Sequence, residues 1–117
     1  MLDIDDLWAT RILEVYENGQ PVREFTAAVS RPRPSPEHPW LWECQFALSG
    51  FEDFQPITVF GGDAMGAVQL AMDILGAHLY NLAKSHDIRL FGSRDLEFRT
   101  PIIETGPLPP DGEVDRT

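Results

Sequence analysis

A single cysteine, Cys44, stands in the 117 residues, which rules out an internal disulfide and fits a reducing, cytoplasmic setting. Basic residues are few: 9 Lys and Arg against 19 Asp and Glu, a formal net charge of −10. A phosphate backbone needs clustered cations, so nucleic-acid binding is disfavoured. Long hydrophobic runs are missing too. The most apolar segment is interrupted by Gln69, Asp73 and His78, which does not read as a membrane span. The N-terminus, MLDIDDLW, is acidic where a secretory leader would be basic. No internal repeat is visible.

What is present reads as one domain. The hydrophobic share of 43% is near ordinary globular usage, and the length supports a core without disulfides or metal. The acidity gathers at the ends. Asp3, Asp5 and Asp6 contribute −3. Glu104, Asp111, Glu113 and Asp115, less Arg116, contribute another −3, which leaves −4 for the core. From Thr105 the chain is Pro, Gly and acid with almost no apolar content. These features predict a single domain over residues 1–103 and a disordered acidic tail over 104–117.

The stretch Phe60–Lys84 carries the clearest structural signal. Val68, Met72, Leu75, Leu79 and Leu82 recur at steps of four and three, one face of an α-helix. Asp63 suits the N-cap, Gly61 and Gly62 permit a sharp entry, and Lys84 suits the last turn. The apolar arc spans roughly twice the ~100° that packing on a sheet requires. Leu70, Ile74 and Ala77 lie on the flank opposite Met72 and Leu79. Three covers are open for them: the chain's own C-terminal segment, a second copy, or a foreign partner.

The rest is β-type. Leu7–Glu17 reads as a strand with a bulge at Ile12 and Leu13, then Asn18-Gly19 is a strong hairpin signal. Val22–Ser30 returns with Phe25, Ala27 and Val29 on one face. The proline-rich Arg31–Pro39 reads as a stiff extended connection. Trp40, Trp42, Cys44, Phe46 and Leu48 alternate as a half-buried antiparallel strand. Phe54–Phe60 follows, with Pro56 marking a late start or an edge. Ile88–Phe91 and Asp95–Arg99 are short extended pieces. The fold class is α+β: a four-stranded antiparallel meander, one long helix across one face and short extended C-terminal segments.

Trp42-x-Cys44, the Gly50 turn, Gly61 or Gly62, Asp63 and the helix to Leu82 together resemble a group of small bacterial domains of unknown function. The resemblance spans Leu7 to Phe98. Some members of this general style sit near toxin or immunity genes, so the resemblance implies an immunity-type inhibitor as one candidate role. It implies no catalytic residues.

Residues with reactive or ligating side chains have simpler readings. Cys44, between Trp42 and Phe46, reads as a buried small hydrophobe. His38, His78 and His86 share no ligand spacing, so no metal or cofactor site is expected. Gly61-Gly62-Asp63 opens a helix, but an acid there repels phosphate and no Lys follows. Trp40, Trp42 and Phe46 are either core or pocket lining.

The expectation is a non-enzymatic, cytoplasmic protein acting through protein–protein contact. It is a homodimer through Leu70, Ile74 and Ala77, with no nucleic acid, membrane or cofactor partner. The alternatives are an immunity- or antitoxin-like inhibitor of a basic toxin, and a small-molecule-binding or enzymatic domain.

Overall fold

The computed structural model describes residues 6–51 and 54–98. β1 (Leu7–Glu17) and β2 (Gln20–Ser30) form an antiparallel hairpin. Asn18 and Gly19 both take left-handed conformations, φ 51° and 77°, as a two-residue type I′ turn demands. Leu13 sits opposite Phe25 and both are buried. The bulge expected at Ile12 and Leu13 is not there. Pairing is regular across them, and Ile12 points to the other face; the irregularities fall between Leu7 and Ala9 and between Val15 and Tyr16. Two adjacent apolar residues arise here because both sheet faces carry some.

β4 (Trp42–Ser49) pairs with β2 through Phe46–Ser49 and with the two-residue β3 (Arg33–Pro34) through Trp42 and Glu43. β5 (Phe54–Gly61) runs along Trp42–Leu48, so it occupies the opposite edge of β4. Part of the proline-rich connection is therefore a strand, with Arg33 Nε donating to Glu43 Oε1 at 2.7 Å. Trp40 does not belong to β4. It lies in a turn closed by Leu41 N–H donating to His38 O at 2.8 Å and is 71% exposed.

After the helix, β6 (Asp87–Arg89) pairs with β1 at Glu14–Tyr16. The sheet thus has six strands, not the four of the expected meander. β1–β2–β4–β5 is the meander; β3 and β6 are additions. β6 covers the Glu14–Tyr16 part of the β1 edge, and its Ile88 joins the core. The predicted extended piece at Asp95–Arg99 forms no strand as far as Phe98.

α1 (Ala64–Leu82) lies across β4 and β5 on the face that carries Leu13, Phe25, Val29, Cys44, Phe46, Leu48 and Val59. Asp63 caps it, its carboxylate accepting from Gly66 N–H at 2.6 Å. Its sheet-facing line is Ala67, Ala71, Leu75 and Leu79, all buried, whereas Val68, Met72 and Leu82 are half-buried. The expected face was therefore rotated. Two alanines at the start let the helix backbone come close to the sheet, and the larger side chains fill its sides. Lys84 lies beyond the helix end and places its ammonium 5.4 Å from the Tyr80 ring centroid. The described residues form an α+β domain: one helix on a six-stranded antiparallel sheet. The expected boundary at residue 103 and the acidic tail lie outside the described residues.

Candidate functional site

The two flanks of α1 have different surroundings. On the Met72 and Leu79 side, Leu96 and Phe98 pack against the core. Arg11 holds them there. Its Nη1 donates to the carbonyls of Leu96 and Glu97, both at 3.0 Å, and its guanidinium lies 4.5 Å from the Phe98 ring centroid. The described part of the C-terminal segment thus covers the flank opposite the predicted interface residues.

On the other flank, Leu70 is 40% exposed and Ile74 39% exposed, and Ala77 is half-buried. Ile57, an inward-facing residue of β5 opposite Phe46, is 45% exposed at the adjoining sheet edge. Ile57, a residue outside the predicted set, thus stands on the side of β5 that faces α1. Chain geometry explains the juxtaposition. The chain reverses at Gly62-Asp63, and the start of α1 abuts Gly61. A Cβ built on Gly61 would collide with the Ala67 amide nitrogen and lie 2.7 Å from the Gly66 carbonyl carbon. Ile74 is seven residues on, ~10 Å along the helix, which is level with about three strand residues back from Gly61. That is the middle of β5.

The remaining candidates fall into structural roles. Cys44 is fully buried, and its thiol donates to Ser30 O at 3.3 Å. Burial pushes the thiol up by more than hydrogen bonding to Ser30 lowers it, which disfavours the thiolate a nucleophile needs. Trp42 and Phe46 belong to the core, Trp42 at its margin. Trp40 does not. It stands 5.6 Å from the His38 ring, which is also edge-on to Phe60 at 6.1 Å. His86 is edge-on to Phe51 at 4.9 Å. Among the described residues, no three His, Cys, Asp or Glu side chains gather as a metal site.

One polar cluster was not foreseen. Asp87 and Arg89 pair within β6, Nε to Oδ1 at 3.0 Å and Nη2 to Oδ2 at 2.9 Å, and Arg94 approaches Asp87 at 3.6 Å. Arg89 also lies 4.2 Å above the Tyr16 ring centroid. The hydrogen bonds from Arg89 hold the Asp87 carboxyl below its ordinary value. These contacts tie β6 to β1 and place charge on that sheet edge.

Three surface clefts measure about 190, 270 and 60 Å³. No helix among the described residues is long and apolar enough to cross a membrane.

Fold and surface together define a small α+β domain in which, among the described residues, one apolar helix flank is partly exposed beside a sheet edge. The chain belongs to a family of domains of unknown function, DUF6968, whose model matches residues 9–100. That span nearly coincides with the Leu7–Phe98 stretch on which the sequence resemblance rests. No curated protein and no solved structure matches the chain.

Proposed function

We propose that this protein is non-enzymatic and works through protein–protein contact, with a second copy of itself bound on the α1 flank of Leu70, Ile74 and Ala77. The observation that carries this reading is the exposure of Leu70 and Ile74 next to exposed Ile57, while Leu96 and Phe98 cover the opposite flank. A contiguous apolar patch on a small domain marks a contact surface. A self-complementary patch closes a dimer with one two-fold axis.

The test is light scattering on the wild type and on Ile74→Asp. A carboxylate at the centre of the contact loses its water without gaining a partner, which costs more than such a contact yields. The dimer dissociates into folded monomers if the reading holds. A variant that keeps the wild-type mass contradicts it.

A further inference from the structure

The two edges of the sheet are built differently. At the far edge β6 is three residues long, pairs with β1 only at Glu14–Tyr16 and carries Asp87 and Arg89, with Arg94 close by; further along β1, Arg11 binds the Leu96 and Glu97 carbonyls. Short length and charge are how sheet edges avoid pairing with other chains. At the β5 edge the strand has eight residues, FQPITVFG, and no charge. Among the described residues nothing pairs with its outer side. Pro56 is its only blunting device, and it sits near the start. Ile57 to Gly61 is left with free backbone groups.

The absence of charge extends beyond the strand. The chain has 9 basic and 19 acidic residues, yet from Phe54 to Leu82 only Asp63 and Asp73 are charged. Asp63 is spent on the helix cap. At ~100° per residue, Asp73 lies about 100° around the helix from both Ile74 and Met72, on the solvent side rather than in the flank. In a molecule of net charge −10, a second copy is least repelled where the surface is uncharged. The β5 edge and the Leu70/Ile74 flank together make such a surface. A basic partner would find no complementary charge there.

We infer that two copies join edge to edge through β5, antiparallel about a two-fold axis, so that one sheet continues across the dimer and the two α1 flanks meet on one side of it. This deepens the proposed self-association by naming the backbone edge as part of the contact. In such a pairing, opposed residues share a sheet face, so the axis passes at Thr58 or at Val59. Thr58 then opposes either Thr58 or Phe60 of the second copy. The dimension is adequate. A strand edge of ~27 Å under two layers ~20 Å high presents a projected area on the order of 500 Å², close to the ~800 Å² of accessible surface that each partner buries in a stable complex.

The test is oxidative cross-linking of Thr58→Cys/Phe60→Cys, two positions on the outer sheet face that no core contact requires. Opposed strand residues have Cα atoms 4.5–5.5 Å apart, within disulfide reach, under either axis. The wild type, whose Cys44 is buried, is the blank. Thr10→Cys on β1 is the control for random collision. Covalent dimer as the main species in the double variant alone supports the inference. A wild type that is dimeric by light scattering, with no link in the double variant, overturns edge pairing and leaves the flank contact standing. A wild type that stays monomeric overturns both.

Discussion

Gly61 is the residue on which the approach of helix to sheet depends. Its φ is not in the left-handed region; what it supplies is the missing Cβ, since any side chain would meet the Ala67 amide and the Gly66 carbonyl carbon. Gly61→Ala should therefore push α1 away from β5 and destabilise by about 1–3 kcal/mol, in the range of other overpacked contacts. Chemical denaturation checks it: Gly62→Ala, where a Cβ meets open space, should change stability by far less. A Gly61→Ala midpoint equal to wild type would show that the contact is loose. Core truncations should rank by burial. Phe46→Ala, at a fully buried position, should cost ~3–5 kcal/mol, and Trp42→Ala, at the core margin, should cost less. The reverse order would mean that the β4 register is misplaced.

Among the elements, the two additions at the C-terminal end do most to shape the surface. Arg11 fastens the Leu96–Phe98 segment with two charged hydrogen bonds and a ring contact. Arg11→Ala should cost about 1–3 kcal/mol and speed hydrogen exchange in residues 94–98 before the rest of the sheet. Unchanged exchange there would show that the segment is held by its apolar side chains alone. β6 makes a pH prediction. Asp87 is depressed by Arg89, so its contribution is complete above the unfolded carboxyl value of ~3.9 and is lost as pH falls through the lower folded value. Asp87→Asn should flatten the acid limb of the stability curve and leave its dependence above pH ~5 unchanged. An identical acid limb in both proteins would contradict that role.

These elements also show what was readable. The hairpin at Asn18-Gly19, the strand with Cys44, Phe46 and Leu48, the Asp63 cap and the helix were all legible, because each rests on local stereochemistry or strict alternation. Legibility failed where long-range pairing decides. Nothing in Asp87-Ile88-Arg89 says that three residues will pair with Glu14–Tyr16, seventy positions earlier. Periodicity alone also centred the helix face on its largest side chains, whereas Ala67 and Ala71 win because small residues allow a closer approach. Of the candidate surface, Leu70 and Ile74 were visible as excess apolar arc. Ile57 was not singled out, although Pro56 already pointed to a late start or an edge for β5; the scarcity of charge from Phe54 to Leu82 was the further signal that would have found it.

For the molecule as a whole, charge and apolar surface are partitioned. The β6 strand is short and charged, whereas the β5 edge is long and neutral and flanked by Leu70 and Ile74. Net charge keeps an acidic chain dispersed, and the proposed contact would use the neutral surface. Because the proposed contact is apolar and uncharged, added salt should leave the association intact or strengthen it by screening the net repulsion. Dissociation on raising salt would instead indicate ion pairing. The most direct test is the mass of the wild-type chain in solution, followed from low to high micromolar concentration by light scattering or sedimentation equilibrium. The account predicts a rise from the 13.2 kDa of the single chain to twice that value, with no larger species because the two-fold closes the contact. A mass that stays at 13.2 kDa throughout would contradict it.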